Sequence, residues 1–320
     1  MFVLENNKLE IALVTYNRPK FVEKWISLCL KDFLIRNIKV SIYDSSTNNE
    51  TENIVNDVIR NGCYVEYNKI DSNTSIGFKP IYPILKSESE YIWVFGDSRF
   101  HDINDLDNEV FPIVNSSEYD CILLQIIGNC KNDEVFYDKE TFLRNCFISM
   151  TCIGMSIYKT ELFKNVFIDD KKEFCKKMFD DNYAFAWLGY FLTAYSCSEN
   201  NKSILKKILI NDLLPSQKVQ QWRKRFLESW IQNLCDLLDR IPRKYGDIDY
   251  VINNIWKTLK LDSNSNLIRC RVSGELNIKT LKHYIKNGMI YRATNRVCFC
   301  RILCLIPKSF LKILMDIQKN

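Results

Sequence analysis

The sequence predicts an α/β fold with a mostly parallel, Rossmann-like central sheet and a C-terminal helical extension. In the first hundred residues, short apolar runs typical of buried strands alternate with segments of helical periodicity. Alternation of this kind favours a parallel sheet with right-handed crossovers. From about Pro215 onward the apolar residues recur at helical spacing, and Leu267 to Val272 is the one candidate strand. The extension is therefore expected to be helical.

The first half of the predicted sheet is built from four strands and the helices between them. Pro19 can open the first helix, because proline is tolerated in a first helical turn, and Trp25 and Leu28 continue its apolar face. We predict strands at Ile11 to Thr15, Val40 to Tyr43, Tyr64 to Tyr67 and Tyr91 to Phe95, and later helices at Glu50 to Arg60 and about Lys79 to Ser87.

Beyond residue 105 the predicted order is mixed. We predict strands at Cys121 to Ile127 and Ser149 to Tyr158, a helix beginning near Thr160, and a helix at Tyr183 to Tyr195. We place a boundary near residue 205. The expected organisation is thus two halves of one domain, 1–105 and 106–205, followed by the helical extension, 206–320.

Composition limits the class of protein. With 47% hydrophobic and 26% charged residues, the 320-residue chain is typical of a compact globular protein. The 13 cysteines are odd in number and scattered, and the first 20 residues lack the basic start and apolar core of a signal peptide. We therefore expect reduced thiols and a cytoplasmic protein. No run approaches the roughly 20 apolar residues of a membrane-spanning helix.

The C-terminal tail is a distinct electrostatic feature. From Leu281 onward there are eight basic residues and one acid, Asp316, a net charge of +7 against +5 for the whole chain. Apolar residues alternate with these charges, which suits an interfacial helix on an anionic membrane. An apolar face that closes the protein's own core is an equally good interpretation. The cysteine spacing at 298–304 disfavours a zinc site, and no motif for nucleic acid accompanies the basic charge.

Polar residues follow three of the predicted strands. Asp97 comes directly after the apolar run that ends at Gly96, Asp44 ends the second strand, and the loop from Thr15 to Arg18 follows the first. Open α/β sheets bind their ligands at the carboxyl ends of such strands. The sequence thus predicts a ligand site at this edge, although loops and helix caps use the same residue types.

Three segments, LEIALVTYNRP, IKVSIYDSSTNN and YIWVFGDSRF, resemble the nucleotide-sugar half of a GT-A glycosyltransferase of the large inverting family numbered 2. The resemblance implies that residues 1–105 bind the nucleotide sugar and residues 106–205 the acceptor. It implies a nucleotide pocket at Thr15, Tyr16, Asn17, Arg18, Asp44 and Gly77. The carboxylate of Asp44 can accept a hydrogen bond from the imide N–H of a uracil base, which favours a UDP-sugar as the donor.

The family usually carries Asp-x-Asp after the fourth strand, and these acids share a Mg²⁺ or Mn²⁺ ion with the diphosphate. Here Asp97 is the candidate metal ligand, but Arg99 stands in place of the last acid. Asp97 can hold a weaker metal site, Arg99 can bind the phosphates itself, or catalysis can be lost. Asp102 is a substitute ligand at a spacing unlike that of the family. His101 either touches phosphate or sugar, or is a solvated loop residue.

Inverting transfer needs a base near the attacking hydroxyl. The family often supplies it from an acidic pair before a helix in the second half, and Asp180 and Asp181 match that position. The alternative is that Asp181 or Asn182 caps the helix.

The resemblance implies an inverting transferase that moves a sugar from a nucleotide diphosphate sugar to a lipid-linked or growing glycan. Its expected setting is bacterial surface-polysaccharide synthesis, of capsule or O-antigen, with the protein peripheral at the inner face of the membrane. One alternative is a catalytically degenerate domain in a glycan assembly complex. A nucleotidyltransferase ranks lower, because no Gly-rich basic loop follows the first strand.

Overall fold

The computed structural model describes residues 1–125, 133–164, 185–198, 200, 202–208, 210–212, 233–241, 250, 263–288 and 296–317. The chain divides into two compact units, Met1–Gln217 and Lys218–Asn320. The first unit contains the sheet, and the described elements of the second unit are helices. The strands are β1 (Leu9–Thr15), β2 (Lys39–Asp44), β3 (Glu66–Lys69), β4 (Tyr91–Gly96), β5 (Arg99–His101), β6 (Cys121–Leu124), β7 (Glu134–Phe136), β8 (Ser156–Lys159), β9 (Ser203–Lys206) and β10 (Ile210–Asp212).

Eight of these strands form one sheet in the order β3-β2-β1-β4-β8-β6-β9-β7. The pairs β3/β2, β2/β1, β1/β4 and β6/β9 are parallel, whereas β8 is antiparallel to both β4 and β6. The prediction of an α/β fold with a mostly parallel central sheet is confirmed. β9 passes through residue 205, and β5 and β10 pair separately as a two-stranded ribbon.

The helices of the first unit lie between these strands. They are α1 (Pro19–Trp25), α2 (Lys31–Leu34), α3 (Glu50–Arg60), α4 (Ile81–Lys86), α5 (Ile103–Glu109), α6 (Phe111–Ser116), α7 (Lys139–Met150), α8 (Thr160–Lys164) and α9 (Ala186–Ser196). A π-helical segment, Ile26–Leu30, joins α1 to α2. Its wider turn shifts the apolar face, so that Cys29 is buried and Leu28, the predicted core residue, is exposed.

The core of the first unit lies against β1 and β4, whose residues are almost all buried. Trp93 and Phe95 on β4 pack in a tilted arrangement with ring centroids 4.3 Å apart, and the ring of Trp25 from α1 lies edge-on to Phe95 at 6.2 Å. Strands buried on both faces read as continuous apolar runs, which is why both were visible in the sequence.

Three predicted elements differ from the structure. The strand expected at Ser149 to Tyr158 is shorter, because α7, capped by Asp138, extends to Met150 and leaves only Ser156–Lys159 as β8. The strand expected at Tyr64 to Tyr67 lies two residues later, as Glu66–Lys69, in register with β2.

The candidate strand at Leu267 to Val272 is wrong, since this segment is helical. Ser263 caps the helix at its start, and Gly274, in a left-handed conformation with φ 97°, ends it. Leu267 and Cys270 are buried one helical turn apart. Local caps thus outweigh the apolar run that favoured a strand.

The described helices of the second unit are α10 (Leu234–Arg240), α11 (Asn264–Ser273), α12 (Ile278–Lys286), α13 (Val297–Leu305) and α14 (Lys308–Ile317). Arg271 of α11 donates to the carbonyls of Leu303 and Ile306, at 3.0 Å each, and so satisfies the end of α13. The predicted C-terminal helical extension is confirmed. Within the described residues, no helix is long and apolar enough to cross a membrane.

An ion pair in the first unit joins the end of the first helical segment to α5. Arg36 donates from Nε and Nη2 to the two carboxylate oxygens of Asp107, at 2.7 and 2.8 Å, and both side chains are largely buried. These hydrogen bonds lower the pKa of Asp107 below its ordinary value.

We predict that Asp107→Asn lowers the free energy of unfolding of the first unit by about 3 kcal/mol at pH 7, because the buried Arg36 charge loses its bidentate partner and keeps the more distant carboxylate of Asp32, at 3.5 Å. A carboxyl whose folded pKa is lowered stabilises the fold above its unfolded pKa, and this contribution is lost as pH falls through the folded value. Urea unfolding of both proteins from pH 7 down to about 3 measures the effect. A difference in stability that does not shrink with falling pH contradicts the assignment.

Candidate functional site

Three strands of the sheet end side by side and bring their last polar residues together. The register of β1 and β2 pairs Thr15 with Asp44, and the register of β1 and β4 pairs Val14 with Gly96, so that Asp97 follows directly. Thr15 donates its hydroxyl to Oδ2 of Asp97 at 2.8 Å. The structure therefore assembles the predicted edge from segments that lie far apart in sequence.

Asp97 is held on both of its carboxylate oxygens. Thr15 occupies Oδ2, and Nη1 of Arg18 donates to Oδ1 at 2.9 Å. Burial raises the pKa of Asp97 above its ordinary value, although the charge of Arg18 and the hydrogen bond from Thr15 act in the opposite direction. The side chain of Arg18 remains 44% exposed, against 7% for Asp97. The acid is thus hidden and the cation faces outward.

The loops after β1 and β2 are fastened to each other. Asn17 adopts a left-handed conformation, with φ 52°, which asparagine accepts more readily than most residues. Its amide donates to Oγ of Ser46 at 2.7 Å, and its side-chain oxygen accepts from the amide of Thr47 at 3.0 Å. The amide of Ser45 donates to the carbonyl of Thr15 at 3.1 Å. These contacts fix the floor of the predicted nucleotide pocket.

Asp44 is completely buried, and its oxygens are engaged within the protein. Oδ1 accepts from the amide of Ser46, and Oδ2 accepts from the hydroxyl of Tyr67 at 2.9 Å and from Nζ of Lys69 at 3.3 Å. Burial, together with the hydrogen bond to Asp44, raises the pKa of Tyr67. Tyr67 and Lys69 were missed by sequence reasoning because β3 was placed two residues too early. The alternate positions of Tyr67 and Lys69 before Ile70 are the sequence pattern that could have indicated that both side chains lie on one face of β3.

The loop before α4 lies against the loop after β1. Nζ of Lys79 sits 4.4 Å from the ring centroid of Tyr16, whose side chain is about half exposed. Burial lowers the pKa of Lys79, and the charges of Asp44 and Asp71 oppose that shift. Gly77, two residues before Lys79, is buried. The structure therefore brings the predicted Gly77 loop beside Tyr16, and it adds Lys79 as a cation that sequence reasoning missed.

Arg99 opens β5 and is partly exposed. Burial raises the pKa of Cys152, and the charge of Arg99 acts against that shift. Asp102 accepts from the amide of Asn104 at 2.8 Å and caps α5. His101 is buried, with its ring centroid 5.1 Å from that of Trp93. His101 is thus a packed residue and not a solvated loop residue. Asp180 and Asp181 lie outside the described residues.

A small apolar pocket lies beside β4. Gly154 adopts a left-handed conformation with φ 91°, and its carbonyl accepts from Nε1 of Trp93 at 2.9 Å. The pocket is lined by Pro80, Ile81, Ile84, Val94, Cys152, Ile153, Gly154, Ser156, Tyr158, Phe163, Trp187 and Phe191. No local pattern in the sequence marks this pocket, because its walls come from five separate segments.

The residues at this edge do not fit a shared divalent cation. Such ions prefer several oxygen ligands, but both oxygens of Asp97 are engaged, and the next acid position is Arg99. In the described part of the chain, no three His, Cys, Asp or Glu side chains are grouped closely enough to hold a metal ion.

No family model matches the sequence, and no curated protein matches it. Solved structures do match the fold. TarS of S. aureus aligns with 15% identity and a TM-score of 0.54 over 90% of this chain, which spans only 50% of that TarS chain. A TarS fragment, residues 1–349, in complex with UDP-GlcNAc aligns with 14% identity and a TM-score of 0.53, covering 92% of this chain and 88% of the fragment.

The mannosyltransferase PcManGT from Pyrobaculum calidifontis, in complex with GDP-Man and Mn²⁺, aligns with 9% identity and a TM-score of 0.52, covering 97% of this chain and 87% of the enzyme. These neighbours are GT-A fold glycosyltransferases. The predicted GT-A fold is confirmed, and the chain has the fold of nucleotide-sugar glycosyltransferases.

We predict that Asn17→Ala destabilises the first unit by about 2 kcal/mol. The left-handed conformation is unfavourable for alanine, and the hydrogen bonds from Thr47 to the side chain are lost. Asn17→Gly is the matched control, since glycine accepts the conformation and loses only the side-chain bonds. Urea unfolding, followed by tryptophan fluorescence, measures both. Equal losses of stability in the two variants would show that the backbone at Asn17 is not strained.

Proposed function

We propose that this protein is an inverting glycosyltransferase that moves a sugar from a nucleotide diphosphate sugar to a glycan or lipid-linked acceptor. The observation that carries the proposal is the convergence of Thr15, Asp44 and Asp97 at the carboxyl edge of a GT-A sheet. Ligands of open α/β sheets bind at that edge. The surrounding side chains present aromatic, hydroxyl and cationic groups, which suit a base, a ribose and a diphosphate in turn.

The nucleotide would lie over the two fastened loops. Tyr16 offers a half-exposed ring beside Lys79, and Asn17 and Thr15 shape the floor. Asp44 positions the hydroxyl of Tyr67 and the amine of Lys69 at the rim; the Tyr67 oxygen can accept from the imide N–H of a uracil ring, and Lys69 has further N–H donors for a uracil carbonyl. We therefore favour a UDP-sugar donor. Gly77 keeps the Lys79 loop close to this pocket.

Arg18 and Arg99 would meet the phosphates, because guanidinium groups pair bidentately with phosphate oxygens. The apolar pocket beside β4 lies next to the same edge and would face the sugar or the acceptor. On the acceptor side, Asp181 or Asp180 would remove the proton of the attacking hydroxyl. Attack from the face opposite the leaving nucleotide inverts the anomeric carbon, and a base within hydrogen-bond reach of that hydroxyl is what the reaction needs.

We further propose that the last two helices dock the protein on an anionic membrane surface. α13 and α14 turn one apolar set inward, as in Cys300 and Leu311, and expose another. The exposed set is Ile302, Leu305, Phe310, Ile313 and Leu314. The net charge of +7 from Leu281 onward complements anionic lipid. Such docking would suit bacterial polysaccharide assembly, of capsule or O-antigen type, on a lipid-linked acceptor at the cytoplasmic face.

For the catalytic role, we predict that one of the two variants Asp181→Asn and Asp180→Asn loses about a hundredfold to ten-thousandfold in turnover, because a general base contributes on that order. The other variant serves as its matched control. Donor affinity should stay unchanged in both, as measured by calorimetric titration with the nucleotide. Full turnover in both variants refutes the assignment. Nucleotide binding with no transfer or donor hydrolysis by the unaltered protein would instead support the non-catalytic partner.

For the membrane role, we predict that the double substitution Phe310→Ser and Ile313→Ser, or removal of residues 295–320, abolishes co-sedimentation with vesicles that contain anionic lipid. Both side chains are more than half exposed, so their loss removes apolar surface without opening a core. Tyr64→Ser, at a 76% exposed position in the first unit, is the control. Undiminished sedimentation of the double variant, or a self-association in ultracentrifugation that the same variant removes, contradicts membrane docking.

A further inference from the structure

The carboxylate at the centre of the candidate site already has a cationic partner from its own chain. Oδ1 of Asp97 accepts from Arg18, Oδ2 accepts from Thr15, and the side chain is 7% exposed. A divalent ion bound there would lie against the guanidinium of Arg18, which Oδ1 of Asp97 already binds, and Arg99 stands two residues further along the chain in place of a second acid. Hard cations bind where several oxygen ligands converge and positive charge is absent. Neither condition is met.

The chain has instead placed cations where the diphosphate would lie. Arg18 is 44% exposed, and its contact with Asp97 uses one of the five N–H donors of the guanidinium. Arg99 follows two residues after Asp97, opens β5 and is partly exposed. Each phosphate of a nucleoside diphosphate sugar carries a negative charge, and two fixed guanidinium groups can match that charge.

We infer that the donor diphosphate is bound by Arg18 and Arg99 without a divalent cation, and that Asp97 is a positioning residue that holds Arg18. The inference rests on the proposed function and specifies its donor site. Asp97 and Thr15 form a buried anchor for one N–H of Arg18, and the rest of the guanidinium is directed outward. In the PcManGT complex, by contrast, Mn²⁺ is present with GDP-Man.

The first experiment measures the affinity for UDP, GDP and CDP by calorimetry, once in EDTA and once with Mn²⁺, and it measures Mn²⁺ binding to the protein alone by electron paramagnetic resonance. We expect one nucleotide to bind with the same affinity in both buffers, within about twofold, and no bound Mn²⁺. Binding that requires Mn²⁺ overturns the inference and leaves the proposed function standing. Absence of nucleotide binding in both buffers overturns both.

A second variant restores the usual acid. In Arg99→Asp we expect the nucleotide affinity in EDTA to fall at least about tenfold, since a phosphate contact is lost. Because Asp97 stays bound to Thr15 and Arg18 in this variant, we expect Mn²⁺ neither to bind nor to recover the affinity, and a recovery by Mn²⁺ overturns the inference. The matched control is Arg60→Asp, which makes the same charge change on the exposed face of α3. Equal affinity of Arg99→Asp and the control in EDTA overturns the role of Arg99.

A double-mutant cycle that combines changes at Asp97 and Arg18 tests the positioning role of Asp97. We expect Asp97→Asn and Arg18→Gln each to weaken nucleotide binding in EDTA, and the double variant to be no weaker than Arg18→Gln alone, because both changes remove the same interaction. Additive losses overturn the positioning role. Arg18→Gln alters a partly exposed side chain, so it remains informative if the buried substitution at Asp97 impairs folding.

Discussion

The parallel pairing of β1 with β2 on one side and with β4 on the other is the constraint on which the candidate site depends. Parallel strands finish at a common edge, so Thr15, Asp44 and Asp97 meet although about 30 to 80 residues separate them in sequence. The loops that follow are then tied together by the bonds of Asn17 and Ser46. A slip of one residue in either pairing would turn the side chains to the opposite face and dismantle the edge.

Burial of acids at this edge sets its electrostatics. Asp44 and Asp97 have side-chain exposures of 0% and 7%, and buried charges of this kind require partners. The partners are Lys69 and Arg18, with exposures of 41% and 44%. In each pair the carboxylate is thus buried and the cationic side chain is partly exposed. These two ion pairs are balanced in formal charge, yet they expose their positive ends to solvent.

The helices α13 and α14 near the end of the chain also separate a buried face from an exposed one. In α13 and α14 the inward face is built from small or branched apolar residues such as Cys300 and Leu303, while Leu305 and Phe310 stay exposed. Arg271 closes the end of α13 through two backbone carbonyls, so one arginine acts structurally while neighbouring basic residues remain at the surface. The apolar and cationic outer surface is what distinguishes these helices from a simple core element.

The sequence by itself determined the alternation of strands and helices, the place of Asp97 and Asp44 at strand ends, and the basic character of the tail, because burial on both faces and strand-ending turns leave local patterns. Only the tertiary structure decided what those acids touch. Tyr67 and Lys69 depend on the register of β3 against β2, and the packing of His101 depends on Trp93. The apolar pocket and the pairing of Arg18 with Asp97 join segments far apart in sequence. Such contacts follow from strand order and register, which no local window of residues encodes.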